Sequence, residues 1–587
     1  MSEEEKGTLE LAENGKLNDL KGQENSDLKQ KNEVYEVASN SSEAFEAVLR
    51  QVGDNGPWQW RLLVIVSYCG IFTCFHNLSA VFLAATPEHW CRVPGLQELN
   101  TTEDLRNISI PWVDDGAGGG KYSSCSYYDR DWSTLVASGA LDGNTLPDLS
   151  TNLTKECDHW FYDHSVYKST VVEEWDLVCR DKYLMSMVQS TSMGGMLTGA
   201  LILSELSDMF GRRTTSLLST VGFLITAVCV TFSTNYTSFI SLRFLVAAFG
   251  SGIFLPNFVI LMEVVGPKGR TLMGMLYQSF YSVGILLLAA IGYFVRDWRY
   301  LQLCISVPVV LLLLYYWILP ESPRWLMMKG RYQEGLKILA QAAKFNGGSL
   351  PQQHQIDVLV ARIDKERCQA TATQGNVWQR FLNFFKNIIS LLRTRNMRRR
   401  CFIMFFEWFV ISMVYFGLLF SGGNINASVY ILTILSGVVE IPSYIFVSWT
   451  IQKLGRRVNL CGVCVISGVA LLLILTVPKE LVWLNIILTT VGRFFNSAAF
   501  ALVFIYSTEL VPTGVRNVAL GTSSVCARLG SAIAPFIVDL LGEVHYAVPS
   551  TVFGLLSLAA GLLALLLPET GKTRLPETVE EVEAMPR

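Results

Sequence analysis

Two side chains of opposite charge lie inside long apolar stretches of the sequence. Arg528 is in the run CARLGS and Glu440 is in the run VVEIP. A charged side chain at the centre of a membrane costs about 2.5 to 3.5 kcal/mol on insertion scales, so each of the two needs a partner. Arg528 suits a carboxylate and Glu440 suits an ammonium group, and together they would hold the two ends of a zwitterion. The alternative is a permanent ion pair within the protein, in which Arg528 faces Glu440, Glu509 or Asp539.

Aromatic residues at helical spacing accompany these charges. Trp408 and Tyr415 are seven residues apart, and Tyr277 and Tyr281 are four apart with Gln278 between them, so each pair shares a helix face. Aromatic rings can hold a quaternary ammonium by cation–π contact, which is worth about 0.5 to 2 kcal/mol. The alternative is ordinary packing, because aromatic stripes at this spacing also occur in helix cores. The predicted binding residues for a small organic ion are Arg528, Glu440, Tyr281, Gln278, Tyr277, Trp408 and Tyr415.

The elements that position these residues are apolar segments long enough to cross a bilayer. The chain has 587 residues, of which 51% are hydrophobic and 17% are charged, whereas soluble proteins have roughly 25% charged residues. About twelve apolar runs of some 20 residues occur, one at 61–85, five within 183–319 and six within 401–567. Each run must be a helix, because backbone polar groups in lipid have to be satisfied within the segment. We therefore predict an all-α membrane protein.

The two groups of spans repeat each other at an offset of about 246 residues. The run FGRR that ends at residue 213 corresponds to LGRR ending at 457, and PES at 320–322 corresponds to PET at 568–570. Carboxylates and arginines at helix ends can form ion networks that tie the halves together in one state and break in the other. The alternative is loop cations with local counter-ions. The predicted gating residues are Asp208, Gly211, Arg212, Arg213, Arg243, Glu263 and Arg270 in the first half, and Gly455, Arg456, Arg457, Arg493, Glu509 and Arg516 in the second.

Basic residues and cysteines are predicted to lie on opposite sides of the membrane. Arginine and lysine follow the even-numbered spans, and by the positive-inside rule these loops and both termini face the cytoplasm. The segment 86–183 then lies outside, where four cysteines suit two disulfides with three permitted pairings. It also has three N-glycosylation sequons. The cysteines are Cys91, Cys125, Cys157 and Cys179, and the sequons are at Asn100, Asn107 and Asn152.

These features divide the chain into five parts. Residues 1–43 form a cytoplasmic tail of disordered composition, and residues 44–326 form the first half with the extracellular, glycosylated loop 86–183. Residues 327–400 form a cytoplasmic loop between the halves. Two of its stretches, 335–344 and 377–392, mix apolar and basic residues and are predicted to lie along the membrane surface, with a flexible connector as the alternative. Residues 401–568 form the second half, and residues 569–587 form a cytoplasmic tail.

Several motifs narrow the class of protein. WRYLQL from residue 298, PESPRWL from 320, VEIP from 439, TELVP from 508 and LPET from 575 resemble the organic cation, anion and carnitine transporter family of the major facilitator superfamily. The large cysteine-bearing loop after the first span is also typical of that family. The resemblance implies a major facilitator fold of 12 transmembrane helices in two six-helix halves, alternating access and a multi-pass position in the plasma membrane. Cation transporters of the family typically have an acidic residue at the position of Arg528, whereas anion and carnitine transporters have arginine.

The resemblance implies secondary active or facilitative transport of small organic ions. Organic cations and zwitterions such as carnitine-like compounds are our first expectation, exchange of organic anions is the second, and a transporter fold used as a sensor without flux is the third. An ATP-driven pump is excluded because GKT at 571–573 lacks the glycine that a phosphate-binding loop has at the position of Leu566. Zinc motifs and nucleophile elbows do not occur, so neither an enzyme nor a metal or cofactor is expected. The net charge of −3 gives no support to nucleic-acid binding. Coupling to sodium and the oligomeric state stay open.

Overall fold

The computed structural model describes residues 41–96, 108–114, 120–137, 153–371, 389, 392–421, 428–478, 481–512, 515–570 and 579–584. Nearly all of the predicted tail 1–43 lies outside these residues. So do the three predicted glycosylation sites Asn100, Asn107 and Asn152, and most of the second amphipathic stretch at 377–392.

Twelve long helices of the described part follow the predicted apolar runs. The sixth, α6, continues as a 3-10 helix over Val307–Leu314 and ends with the short helix Tyr315–Ile318. In chain order the helices are α1 (Pro57–Leu78), α2 (Tyr183–Phe210), α3 (Arg212–Thr231), α4 (Tyr236–Val264), α5 (Pro267–Phe294), α6 (Trp298–Ser306), α7 (Arg395–Phe420), α8 (Val429–Leu454), α9 (Arg456–Leu473), α10 (Val482–Leu510), α11 (Arg516–Val544) and α12 (Val548–Ala564).

Ten of these helices are long and apolar enough to cross a membrane. The two others are α2, which has 28 residues but carries Glu205 and Asp208 near its end, and α12, which has 17 residues. At a rise of 1.5 Å per residue, α2 is about 42 Å long. Ten spans are thus supported by length and composition together, and the full count of twelve stays a prediction.

The helix contacts repeat between the halves. In the first half α1 packs against α5, α2 against α4, and α3 against α4 and α6. In the second half α7 packs against α11, α8 against α10, and α9 against α10 and α12, which is the same set shifted by six helices. The halves meet where α2 packs against α11 and where α5 packs against α8. The internal repeat of the sequence is therefore a repeat of packing.

The segment between α1 and α2 contains β-structure, which the all-α prediction did not include. Its strands have three residues each and form three antiparallel pairs, β1–β6, β2–β3 and β4–β5. Disulfides join Cys91 to Cys157 and Cys125 to Cys179, so the four predicted cysteines do pair. The strands are β1 (His89–Cys91), β2 (Trp112–Asp114), β3 (Gly120–Tyr122), β4 (Ser126–Tyr128), β5 (Thr154–Glu156) and β6 (Trp160–Tyr162).

This disulfide-bearing segment is fixed to the first half at the start of α6. The indole N–H of Trp298 donates to Glu174 at 2.8 Å, and the Arg299 guanidinium forms an ion pair with the same carboxylate. Trp175 packs between Trp298 and Phe239. The segment is therefore anchored to the bundle by buried aromatic rings and by the Glu174 carboxylate, which contacts both Trp298 and Arg299.

Short helices pack together at the opposite end of the first half. Ser41–Val52 lies against Tyr332–Asn346 and Gln353–Thr371, and their apolar side chains form a separate buried cluster that includes Phe45, Leu339 and Leu359. The stretch 335–344 is helical, but its apolar face is buried against protein. The prediction that this helix lies along the membrane surface is therefore wrong, because the helix Ser41–Val52 covers the face that lipid would have covered.

Candidate functional site

Glu440 of α8 is at the centre of a buried polar cluster within the second half. Its Oε1 accepts hydrogen bonds from the hydroxyls of Tyr415 at 2.8 Å and Tyr444 at 2.7 Å. Nη2 of Arg493 lies 3.7 Å from Oε2, and both side chains are almost fully buried, with 2% and 3% of their surface exposed. The Arg493 guanidinium also lies 3.7 Å from the ring centroid of Tyr415. The negative charge of Glu440 is thus compensated inside the protein.

Arg528 of α11 is in a different electrostatic situation. Its side chain is half-buried, and its Nε is buried without a hydrogen-bond partner among the described residues. None of the ion pairs found in the described part of the chain includes it. The titratable group with which it interacts electrostatically is Tyr281 of α5. A buried guanidinium nitrogen without a hydrogen-bond partner is costly, so an anionic group at this position would be stabilised.

Tyr281 interacts with both charged positions. Its hydroxyl is within electrostatic range of both Glu440 and Arg528 and bonds to the side chain of Asn77 in α1. Helices α1, α5, α8 and α11 therefore converge on one region where the halves meet. Four predicted binding residues, Arg528, Glu440, Tyr281 and Tyr415, lie in this region, which we call the central site.

Three other predicted binding residues have different surroundings. Tyr277 is fully buried within the first half, where its hydroxyl donates to the carbonyl of Phe254 at 2.8 Å. Trp408 is buried against α10, donating to the Ser507 hydroxyl at 2.9 Å and packing edge-on against Phe504. Gln278 is half-buried on α5. The contacts of Tyr277 and Trp408 are those of packing residues.

The first predicted gating cluster joins residues of the first half to one another. Nη2 of Arg212 lies 2.7 Å from Asp208 and 3.5 Å from Glu263. The Glu321 carboxylate accepts hydrogen bonds from the backbone N–H groups of Arg212 at 3.0 Å and Arg213 at 3.2 Å. Glu321 thus caps the start of α3, where a negative charge is stabilised by the helix dipole.

The second half has the same cluster at the corresponding positions. Arg456 pairs with Glu509, with Nε 3.0 Å and Nη2 3.1 Å from the carboxylate oxygens. Glu569 accepts from the backbone N–H groups of Arg456 at 2.9 Å and Arg457 at 3.0 Å, and thereby caps α9. The Thr570 hydroxyl donates to Glu509. In the described part of the chain, each ion cluster joins helices of its own half.

The glycines of both clusters leave room for the capping carboxylates. Gly211 has φ +105° and Gly455 has φ +79°, values that side-chain-bearing residues rarely adopt. A Cβ at Gly211 would lie 2.4 Å from the nearest oxygen of Glu321, and a Cβ at Gly455 would lie 2.7 Å from that of Glu569. Both the backbone conformation and the short distance to the capping carboxylate therefore require glycine at each of the two positions.

Four more predicted gating residues have other surroundings, and one of them, Arg516, interacts electrostatically with Glu509 of the second cluster. Arg243 is fully buried and donates to the Ser79 hydroxyl at 2.8 Å, and Arg493 belongs to the central site. Arg270 pairs at 2.9 Å with Glu46 of the helix Ser41–Val52, which connects that helix to α5. Two guanidinium nitrogens of Arg516 are buried and have no hydrogen-bond partner in the described part of the chain.

Sequence reasoning did not assign a role to three residues that complete these sites. Glu321 and Glu569 occupy matching positions in the repeated PES and PET runs, and that repetition could have revealed them. Tyr444 follows Glu440 by four residues, which places it over the same helix face.

The architecture agrees with that of solved transporters. The structure of the proton:xylose symporter XylE from E. coli matches with a TM-score of 0.54 at 18% identity, over 90% of this chain and 98% of that chain. The repeated helix packing agrees with this match, and the chain has the major facilitator fold.

Sequence comparisons then give the family. Residues 150–582 match the sugar (and other) transporter family. An organic cation transporter protein of Drosophila melanogaster is 37% identical over 546 residues, covering 92% of this chain and 94% of that protein. Solute carrier family 22 member 3 of Mus musculus is 33% identical over 549 residues, covering 92% and 96%. The chain therefore belongs to the sugar (and other) transporter family and, within it, to solute carrier family 22. The resemblance indicated by the sequence motifs is confirmed, as is the prediction that the protein is not an enzyme.

Proposed function

We propose that this protein transports small organic ions that carry a carboxylate, by alternating access, and that zwitterions such as carnitine-like compounds are its preferred substrates. The observation that carries this proposal is the buried, unpartnered Nε of Arg528 at the interface between the halves. A carboxylate matches a guanidinium in charge and can accept two parallel hydrogen bonds from it. Substrate binding would therefore remove the cost of the unpaired charge.

The positive end of a zwitterion has two features available to it. Tyr281, whose hydroxyl interacts electrostatically with Arg528, has an aromatic ring, and such a ring stabilises a quaternary ammonium by about 0.5 to 2 kcal/mol. Glu440 supplies a negative charge that also interacts with Tyr281, although Arg493 compensates part of it. The fly relative that is named an organic cation transporter supports a positively charged group in the substrate.

Exchange of simple organic anions is the second candidate. It is favoured by the ion pair between Glu440 and Arg493, which leaves Arg528 as the uncompensated charge of the central site. A substrate with a carboxylate and no cation would neutralise the site completely. The two candidates differ only in whether the substrate needs an ammonium group.

We further propose that the protein spans the plasma membrane with its disulfide-bearing segment outside and both ion clusters at the cytoplasmic face. Basic residues concentrate at the end that has the clusters, as the positive-inside rule requires, and paired cysteines suit an oxidising exterior. Glycosylation at Asn100, Asn107 and Asn152 and gating by the two ion clusters are parts of the same proposal.

Uptake of three labelled compounds tests the substrate class. Cells of low background would express the wild-type protein, Arg528→Ala and, as a control, Arg180→Gln, which removes an exposed arginine in the disulfide-bearing segment. Carnitine, a quaternary ammonium dye and an aromatic carboxylate would each be offered with and without sodium. We expect saturable carnitine uptake that Arg528→Ala abolishes and Arg180→Gln leaves intact. Uptake of the aromatic carboxylate alone would favour the anion candidate, whereas Arg528-independent uptake of carnitine would contradict the role of Arg528.

A further inference from the structure

One face of α7 at its first two turns carries exposed arginines. Arg395, Arg398, Arg399 and Phe402 follow one another at the i, i+3, i+4 and i+7 spacing of a single helix face. All four are exposed, and Phe402 is 58% exposed. Together with Asn396 they line a cavity of about 280 Å³. We call this cavity the arginine cavity.

The arginines of this cavity differ from those of the gating clusters in having no carboxylate beside them. Arg212 and Arg456 have acidic partners within 3.0 Å. No ion pair found in the described part of the chain includes Arg395, Arg398 or Arg399. Three positive charges thus line one opening, and none of them has an ion-pair partner among the described residues.

An acidic residue of the short helix Val579–Ala584 lies at the start of α7 and bonds to its backbone. The Glu583 carboxylate accepts hydrogen bonds from the backbone N–H groups of Asn396 at 2.8 Å and Met397 at 3.1 Å, so it caps the helix. Its electrostatic partner among the arginines is Arg400, which is buried on another face of α7 and reaches the carbonyl of Leu510. The helix N-terminus is therefore already satisfied, and the positive potential of the arginine cavity comes from its side chains.

We propose that the arginine cavity binds the phosphate headgroup of an anionic phospholipid. Guanidinium groups match phosphate in charge and in their forked hydrogen-bonding geometry, and basic clusters that flank a membrane span attract anionic lipids. The exposed ring of Phe402 lies one turn further into the apolar span, where it meets the acyl chain of a lipid and not a water-soluble phosphate. This inference rests on the proposed orientation, which puts the cavity at the cytoplasmic leaflet.

Binding to purified full-length protein tests the proposal without any transport measurement. The protein in detergent would be titrated with dioctanoyl phosphatidylinositol bisphosphate, with dioctanoyl phosphatidylcholine and with inositol trisphosphate, which is a headgroup without acyl chains. We expect tight binding of the anionic lipid only. Each arginine near a membrane surface contributes about fivefold to such binding, so R395Q/R398Q/R399Q should weaken it about a hundredfold. Phe402→Ala should weaken lipid binding further than it weakens binding of the soluble headgroup.

A matched control removes three charges from another cytoplasmic surface. Lys337, Lys344 and Lys365 are exposed on helices after α6, and K337Q/K344Q/K365Q should bind the anionic lipid like the wild type. Gel filtration and thermal unfolding would establish that both triple variants are folded. Equal loss in both triple variants, or unchanged binding in the arginine variant, would overturn the site. Inositol trisphosphate binding as tight as the lipid would overturn the lipid assignment. Because no flux is measured, each of these results is independent of the substrate proposal.

Discussion

Two buried arginines of the second half should respond in opposite ways when their charge is removed. Arg493 faces Glu440, and both are almost fully buried, so Arg493→Met would leave an uncompensated carboxylate in the interior. Arg528 has a buried Nε without a partner in the described chain, so Arg528→Met would remove a charge that nothing compensates. Methionine keeps most of the length of the side chain in both cases, which limits the effect of lost packing.

The magnitudes follow from burial and pairing. Removing one member of a buried ion pair costs about 3 to 5 kcal/mol, which we expect for Arg493→Met. An arginine at the centre of a membrane costs about 2.5 to 3.5 kcal/mol. Because the Arg528 side chain is partly exposed, part of that cost is screened, and Arg528→Met should stabilise the substrate-free protein by about 1 to 2 kcal/mol. The two shifts in melting temperature should have opposite signs and be on the order of a few degrees.

Thermal unfolding of the purified protein, followed by intrinsic tryptophan fluorescence, measures both effects. Wild type, Arg493→Met and Arg528→Met would be compared in the same detergent without substrate, and then with carnitine. Carnitine should raise the melting temperature of the wild type and leave that of Arg528→Met unchanged, because the carboxylate has lost its partner. If Arg528→Met lowers the melting temperature as far as Arg493→Met does, Arg528 has a permanent protein partner and does not serve the substrate.

Two further predictions concern the gates and the disulfides. Gly211→Ala and Gly455→Ala should each reduce transport and cost about 1 to 3 kcal/mol of stability, because both backbones have φ and ψ values that essentially only glycine adopts and because the new methyl group would strike the capping carboxylate. Gly347→Ala, which has the milder left-handed helical conformation and open space around it, should cost about 1 kcal/mol. A loss of stability and transport at Gly347 as large as at the other two positions would refute this explanation. Peptide mapping by mass spectrometry under non-reducing conditions should find two crosslinked peptide pairs and no others among these cysteines, namely Cys91 with Cys157 and Cys125 with Cys179.

Much of the fold could be predicted because the membrane imposes strong patterns on the sequence. Apolar runs gave the helices, and the repeated FGRR and LGRR runs gave the two halves. The six strands between α1 and α2 could not be predicted, since strands of three residues are too short for an alternating pattern to appear. The pairing of the four cysteines in this segment depends on tertiary structure, so the sequence alone permits three pairings.

The central site was predicted only in part. The sequence shows how far along a helix a residue lies, but it does not show which side chain of another helix that residue contacts. Arg493 was grouped with the gates, yet it lies twelve residues into α10, about 16 Å from the start of that helix, and faces Glu440. Tyr277 and Tyr281 share a helix face by spacing, but one is buried against α4 and the other reaches the interface between the halves. Two residues one helical turn apart can thus contact different helices, and the spacing of residues in the sequence does not show which helix each one contacts.

The distribution of contacts suits two halves that move as rigid bodies. The strong ion clusters lie within each half, where they fix the ends of helices to one another. Contacts between the halves occur along both seams: Ser186 donates to Asp539 at 2.7 Å, Phe82 stacks on Tyr430, and the Ser448 hydroxyl lies 3.2 Å from the sulfur of Met275. A hydrogen bond to a charged group contributes about 1.5 to 3 kcal/mol net, and an aromatic pair about 0.5 to 1.5 kcal/mol. Such contacts can be broken and remade for a few kcal/mol, which is the range that differential binding of a substrate can supply. Opening the ion clusters inside a half would cost more, and it would not shift one half relative to the other.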